Sequence, residues 1–179
     1  MPETLYIPII LGTAREGRQS EKVAKFVLSE IKQAGLNSEI IDVRDYRLSA
    51  TDNTGASAQA KKLAEKINQA GGLIIVTPEY NHGYPGELKM MLDLLYGEYA
   101  KKPVAFCGVS AGGLGGARAV EQLRLVSIEL HMIVIREAVY FSDVYDLFDD
   151  KDNIKDISYK DRIRKMLDEL LGYVKMLRS

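Results

Sequence analysis

Apolar residues cluster in five short runs, at 5–11, 39–43, 73–77, 104–109 and 132–135, with amphipathic stretches between them. Four of these runs are nearly continuous rather than alternating. That pattern suits parallel strands, because a sheet covered by helices on each face leaves few positions for water. Residues 21–34 place Val23, Phe26, Val27 and Ile31 on one side of a helix, and Gly35 supplies a stop. Residues 57–70, 86–97 and 116–130 predict further helices. In the last segment Ile163, Met166, Leu167, Leu170, Leu171, Val174 and Leu177 form one stripe. The order βαβαβαβαβα predicts an α/β domain built on a doubly wound, five-stranded parallel sheet with right-handed crossovers and helices on both faces. No repeat or linker interrupts residues 1–179, so one domain is expected. Pro8 is the local conflict: it offers no ladder donor to a first strand that this fold makes central, and a bulge or the strand's beginning must accommodate it.

Composition narrows the function classes. An apolar content of 46% beside 27% charged residues is that of a globular chain with a sizeable core. A net charge of -1 without a run of lysine or arginine gives no electrostatic footprint for nucleic acid or an acidic membrane surface. The first strand-like run begins at Leu5 with no basic, apolar leader before it, and no stretch of roughly 18 apolar residues occurs, so a cytoplasmic protein is expected. Cys107, the single cysteine, lies within an apolar run and reads as a small buried hydrophobe rather than a thiol catalyst. The acidic stretch 143–156 lacks the glycine and the third oxygen ligand of a calcium loop and reads as solvated.

Candidate chemistry gathers in three segments that follow predicted strands, the edge where open α/β sheets bind ligands. The first, Gly12-Thr-Ala-Arg-Glu-Gly-Arg-Gln-Ser20, precedes a helix whose start offers unpaired N–H groups and a positive dipole end, joined by hydroxyls of Thr13 and Ser20 and by the charges of Arg15 and Arg18. It predicts a phosphate cradle. The segment matches neither the Walker pattern nor the dinucleotide fingerprint, which favours a mononucleotide. The second, Pro78-Glu-Tyr-Asn-His-Gly-Tyr-Pro-Gly86, combines stiff prolines with aromatic and amide groups suited to the wall of a flat heterocycle's slot. The third, Gly108-Val-Ser-Ala-Gly-Gly-Leu-Gly-Gly116, reads as a floor whose glycines admit a planar ligand and whose following helix start stabilises negative charge.

Together these segments resemble the NADPH-dependent FMN reductase family, of flavodoxin-like fold, which includes quinone, azo-dye and chromate reductases. The residues that carry the resemblance are Gly12-Thr-Ala-Arg15, Pro78-Glu-Tyr-Asn81 with Pro85-Gly-Glu-Leu-Lys89, and Ser110-Ala-Gly-Gly113. The resemblance implies FMN as bound cofactor and NADPH or NADH as reductant. It places Thr13, Arg15, Gln19 and Ser20 at the FMN phosphate, Pro78, Glu79, Tyr80 and Asn81 along the isoalloxazine, and Ser110, Ala111, Gly112 and Gly113 near its pyrimidine edge. Thr13 replaces the family's serine and keeps the hydroxyl. Arg18 replaces a small hydroxyl residue, and three roles stay open to it: the FMN phosphate, the nicotinamide nucleotide's phosphate, or water. His82 and Tyr84 fall in a variable part of the second segment, suited to shaping substrate choice. The resemblance further implies ping-pong transfer from NAD(P)H to a small acceptor, with no catalytic side chain, and a homodimer or homotetramer in which the helix carrying Met90, Met91, Leu94, Leu95, Tyr96 and Tyr99 crosses the interface; on the residues alone, a deeply buried core helix is an equal alternative.

Two other readings compete. Gly108-Val-Ser-Ala-Gly112 matches a nucleophile elbow with Ser110 as a hydrolase nucleophile, although His131, the one later histidine, borders a strand. A flavodoxin-like electron carrier is the other, against which stands the near-neutral charge.

Overall fold

The computed structural model describes residues 4–50 and 54–178. Its elements are β1 (Ile9–Leu11), α1 (Ser20–Gln33), β2 (Ile40–Asp42), α2 (Ala58–Gln69), β3 (Leu73–Pro78), α3 (Gly86–Leu92), β4 (Pro103–Val109), α4 (Ala117–Glu129), β5 (Ile133–Phe141), α5 (Val144–Leu147) and α6 (Ser158–Arg178). All strand pairs are parallel, in the order β2-β1-β3-β4-β5. This is the doubly wound flavodoxin-like order, whose reversal point lies between β1 and β3. One face of the sheet packs against α1 and α6 through Val23, Val27, Ile163 and Leu170, and the other against α2, α3 and α4 through Leu63, Leu88 and Leu123. Cys107 is fully buried in the first of these layers, and that burial pushes its thiol pKa up, keeping it protonated.

Pro8 is accommodated in both of the ways open to it. The regular part of β1 begins one residue later, at Ile9. The carbonyls of Tyr6 and Pro8 accept from Gly71 and Ile74, so three residues on the β3 side pass two on the β1 side beside the missing proline N–H.

β5 extends six residues beyond its expected end at Ile135. Arg136 and Glu137 hide the extension from a reading of hydrophobicity, because they occupy an irregularity: Val104 pairs with Val134, while Phe106 pairs with Ala138. Neighbouring helices satisfy the backbone groups released there. Arg124 of α4 donates to the carbonyls of Ile135 (2.8 Å) and Arg136 (3.0 Å), and the Glu169 carboxylate of α6 accepts from the N–H groups of Arg136 (3.2 Å) and Glu137 (2.8 Å). The far half of β5 then seats Phe141 against Tyr159, stacked at 4.7 Å, and edge-on to Phe26 at 6.3 Å.

The helix expected over 86–97 stops at Leu92 and resumes as a short 3-10 turn, Gly97–Tyr99. Most of its apolar surface is consumed within the chain, since Met91, Leu94, Leu95 and Tyr99 are buried while Tyr96 is exposed.

Candidate functional site

The segments after β1, β3 and β4 meet at the carboxyl edge of the sheet. The first leaves β1 through Gly12, whose N–H donates to the Val76 carbonyl at 2.8 Å, and the second opens with the Glu79 N–H donating to Val109. The second segment then folds into a tight turn: Tyr80 and Gly83 exchange both backbone hydrogen bonds, and Asn81 and His82 hold φ values of 50° and 68°. Two successive left-handed residues make a type I′ turn, and asparagine tolerates that geometry better than most side chains. The third segment is held by the extended β5 and the residues after it. Ser110 donates its N–H to the Phe141 carbonyl, Asp143 donates to Gly112, and Val144 donates to Ser110.

Besides a cavity of about 700 Å³ bordered by Arg15, Tyr80, Tyr84 and Glu87, two adjoining cavities lie among these segments. One, of about 350 Å³, is bordered by Arg15, Gln19, Ser20, Tyr80, Ser110 and Tyr145. The other, of about 590 Å³, is bordered by Glu79, Asn81, His82, Gly112, Gly113 and Arg118. A groove of about 570 Å³ lined by Asp93, Tyr96, Glu98 and Glu129 lies at the opposite end of α4 and receives none of the three segments.

The first cavity has the donor set of an anion site. The Ser20 hydroxyl is buried and has no hydrogen-bond partner. The N–H groups of Gln19 and Ser20 at the start of α1 have no acceptor among the described residues. Arg15 is exposed, and its guanidinium stands 5.1 Å from the centre of the Tyr80 ring. A buried orphan hydroxyl costs free energy unless something accepts from it or donates to it. A phosphate at the helix start satisfies it together with the free N–H groups, so the residues fit the phosphate end of a mononucleotide.

Other predicted site residues stand behind this cavity. Thr13 is fully buried and does not line it; its hydroxyl shares a hydrogen bond of 3.1 Å with the Tyr80 hydroxyl and accepts from the Arg15 N–H at 3.3 Å. Arg18 borders the cavity, but its guanidinium turns away from it. It bonds the Thr13 carbonyl, both oxygens of Asp42 and, at 3.3 Å, Glu21. All its nitrogens are engaged within the chain, so in this structure the Arg18 guanidinium serves as an internal strut rather than presenting its charge to the cavity. Burial opposes the Asp42 charge, yet hydrogen bonds from Arg18 and the Arg44 N–H, with both guanidinium charges, hold its carboxyl below the usual range.

The third segment also departs from its reading. Most of its glycines serve the chain's own packing: a Cβ at Gly108 would lie 2.4 Å from the Gly115 carbonyl oxygen, and one at Gly116, where φ is 82°, would lie 2.6 Å from the Val109 nitrogen. Gly112 and Gly113 face open space, and the N–H groups of Ala111, Gly112 and Gly113 have no acceptor among the described residues. The start of α4, read as free to offset ligand charge, is occupied by Glu79. Its carboxylate accepts from the Arg118 N–H at 3.2 Å and is paired with the Arg118 guanidinium.

The contact that the hydrolase reading needs is not made. Ser110 donates its hydroxyl to the Gly112 carbonyl at 2.7 Å rather than to His82, which borders the same cavity, and His131 precedes β5, at the opposite edge of the sheet.

Residues 5–146 match the family model described as NADPH-dependent FMN reductase. The chain belongs to that family. It is 34% identical over 152 residues to a quinone reductase of Escherichia coli K12, covering 80% of each chain. It is 27% identical over 176 residues to an FMN-dependent NADPH-azoreductase of Staphylococcus haemolyticus, covering 93% of each. Among solved structures it superposes on FerB, a flavoenzyme NAD(P)H:acceptor oxidoreductase of Paracoccus denitrificans, with a TM-score of 0.81 at 19% identity, covering 96% of this chain and 98% of that one. A family of oxidoreductases sets aside the carrier reading.

Several residues that border these cavities or brace the segments around them escaped sequence reasoning: Asp42, Arg44, Arg118, Gln122 and Tyr145. Arg44 donates to the carbonyls of Ala14 (3.2 Å) and Arg15 (2.6 Å), and Gln122 donates to the His82 carbonyl (2.9 Å). Arg118 did leave a signal. A cation in the first turn of a helix opposes the dipole and points to a carboxylate close by.

Proposed function

We propose that this chain, as a single FMN-binding domain, uses NADPH or NADH to reduce a small acceptor such as a quinone, azo compound or free flavin. The unpartnered, buried Ser20 hydroxyl at an N–H-lined helix start carries the reading, because it supplies the phosphate contact that FMN requires. Arg15, Gln19 and Ser20 meet the phosphate, while Thr13, Arg18, Asp42 and Arg44 fix the segment that presents them. Pro78, Glu79, Tyr80 and Asn81 form the wall of the ring slot, and Ser110, Ala111, Gly112 and Gly113 its floor. Bound FMN supplies the hydride-accepting and electron-passing chemistry. The protein orients it, limits access of water, and offers the free N–H groups of residues 111–113 to negative charge gathering on the ring edge. The FMN-dependent azoreductase and the quinone reductase among the relatives support this acceptor class.

No helix among the described residues is long and apolar enough to cross a membrane, and the near-neutral charge supports no nucleic-acid partner. A cytoplasmic homodimer or homotetramer fits the exposed Tyr96 beside α3 and the exposed Leu125 and Ile128 on α4, which give an apolar face for association.

The test is the absorption spectrum of the purified protein, release of FMN on denaturation, and steady-state NADPH oxidation with a quinone. Yellow protein that turns over supports the proposal. Colourless protein that takes up no added FMN sinks it, and bound FMN without turnover returns the carrier.

A further inference from the structure

α4 grips the second segment at two points one helical turn apart. Arg118 holds the Glu79 carboxylate through its backbone N–H and its guanidinium, and Gln122 donates to the His82 carbonyl at 2.9 Å. The two grips differ in charge. The Glu79 side chain is only 5% exposed, whereas that of Arg118 is 46% exposed, and both residues border the cavity that Asn81, His82, Gly112 and Gly113 also line. The cavity therefore has an anion set into its wall and a countercharge at its open side.

We propose that Arg118 is a positioning residue that sets the electrostatic balance of the flavin slot by neutralising Glu79, and so governs how strongly the site prefers reduced over oxidised FMN. This rests on the reading of the cavity as an FMN slot. A carboxylate left alone beside the slot in a poorly hydrated wall opposes the extra negative charge of the reduced ring; with Arg118 in contact, the pair is close to neutral. Gln122 ties the same segment with no charge, so it fixes the wall's position without setting this preference.

The pair predicts shifts of opposite sign, which a purely structural tie does not. Anaerobic titrations with FMN and with dithionite-reduced FMN measure both affinities. In Arg118→Ala the ratio of reduced to oxidised affinity falls about tenfold, equivalent to a reduction potential lower by about 30 mV for a two-electron couple. In Glu79→Gln the ratio rises, because Arg118 keeps its charge while the anion is gone. Arg118→Lys retains the charge and most of the wild-type ratio, and Gln122→Ala weakens both forms alike. Ratios that move the same way in Arg118→Ala and Glu79→Gln, or Arg118→Lys as low as Arg118→Ala, overturn the assignment while leaving the FMN site intact. Wild-type protein that binds neither form overturns the underlying flavin reading instead.

Discussion

Arg18 Nη1 donates to Asp42 Oδ1 at 2.8 Å while Nη2 bonds the other carboxylate oxygen, so the last residue of β2 grips the tip of the segment that follows β1. The Arg18 side chain is 3% exposed and that of Asp42 23%. Asp42→Ala leaves a buried guanidinium with Glu21 as its one remaining carboxylate. The expected loss is about 1–3 kcal/mol of stability, below the usual cost of orphaning a fully buried charge because Glu21 stays in contact. Urea unfolding of the FMN-free protein measures it, and FMN affinity falls with it because the cradle loses its brace. An unchanged midpoint removes Asp42 from the brace.

The same brace sets an acid limit. Asp42 and Glu21 are both held below the ordinary carboxylate range: Asp42 against its own burial by the Arg18 and Arg44 contacts, and Glu21 chiefly by its hydrogen bond from Lys25. For a carboxylate whose folded pKa is depressed, the stabilisation is complete above the unfolded value of about 4 and is lost as pH falls through the folded value. Stability from this cluster should stay flat between about pH 7 and 5 and decline below about pH 4. Urea midpoints taken across that range should fall less steeply on the acid side for Asp42→Asn than for wild type. Equal acid slopes argue against linkage at Asp42.

Ser20→Ala separates cofactor binding from folding. The hydroxyl has no partner in the FMN-free chain, so removing it should leave stability unchanged or raise it by up to about 1 kcal/mol. FMN affinity should fall by about 0.5–1.5 kcal/mol, roughly two- to twelvefold. Calorimetry of the FMN-free protein and fluorescence titration with FMN check the two halves, and a stability loss without an affinity loss assigns the hydroxyl to the fold.

Arg15 is exposed, and its guanidinium contacts the Tyr80 ring. Arg15→Ala should remove a charge-assisted contact worth about 1.5–3 kcal/mol, or roughly ten- to more than a hundredfold in FMN affinity, with little effect on folding. Unchanged affinity places Arg15 outside the phosphate site.

Ser110→Ala removes one hydroxyl whose hydrogen bond stays within its own segment. Most NADPH-dependent turnover should survive, measured with a quinone under saturating FMN. Near-complete loss makes Ser110 a reacting group and reopens the question of its chemistry.

The hydrophobic pattern alone determined the parallel α/β layering, since strands buried on both faces must be continuously apolar and the crossover helices must show one apolar stripe. It also marked the three segments of the site, because glycine, proline and hydroxyl residues after a strand have local conformational and donor properties that need no partner. Tertiary structure decided where those side chains point. Arg15 and Arg18 are three residues apart and chemically alike, yet one faces the cavity edge and the other turns inward, because Asp42 lies on a neighbouring strand 24 residues along the chain from Arg18. The second half of β5 was equally hidden: its polar residues Arg136 and Glu137 are acceptable in a strand only because Arg124 and Glu169, brought in by helices from either side, meet their backbone groups. Local sequence records propensity and available chemistry. Charge pairing across the sheet depends on distances that only the folded chain creates.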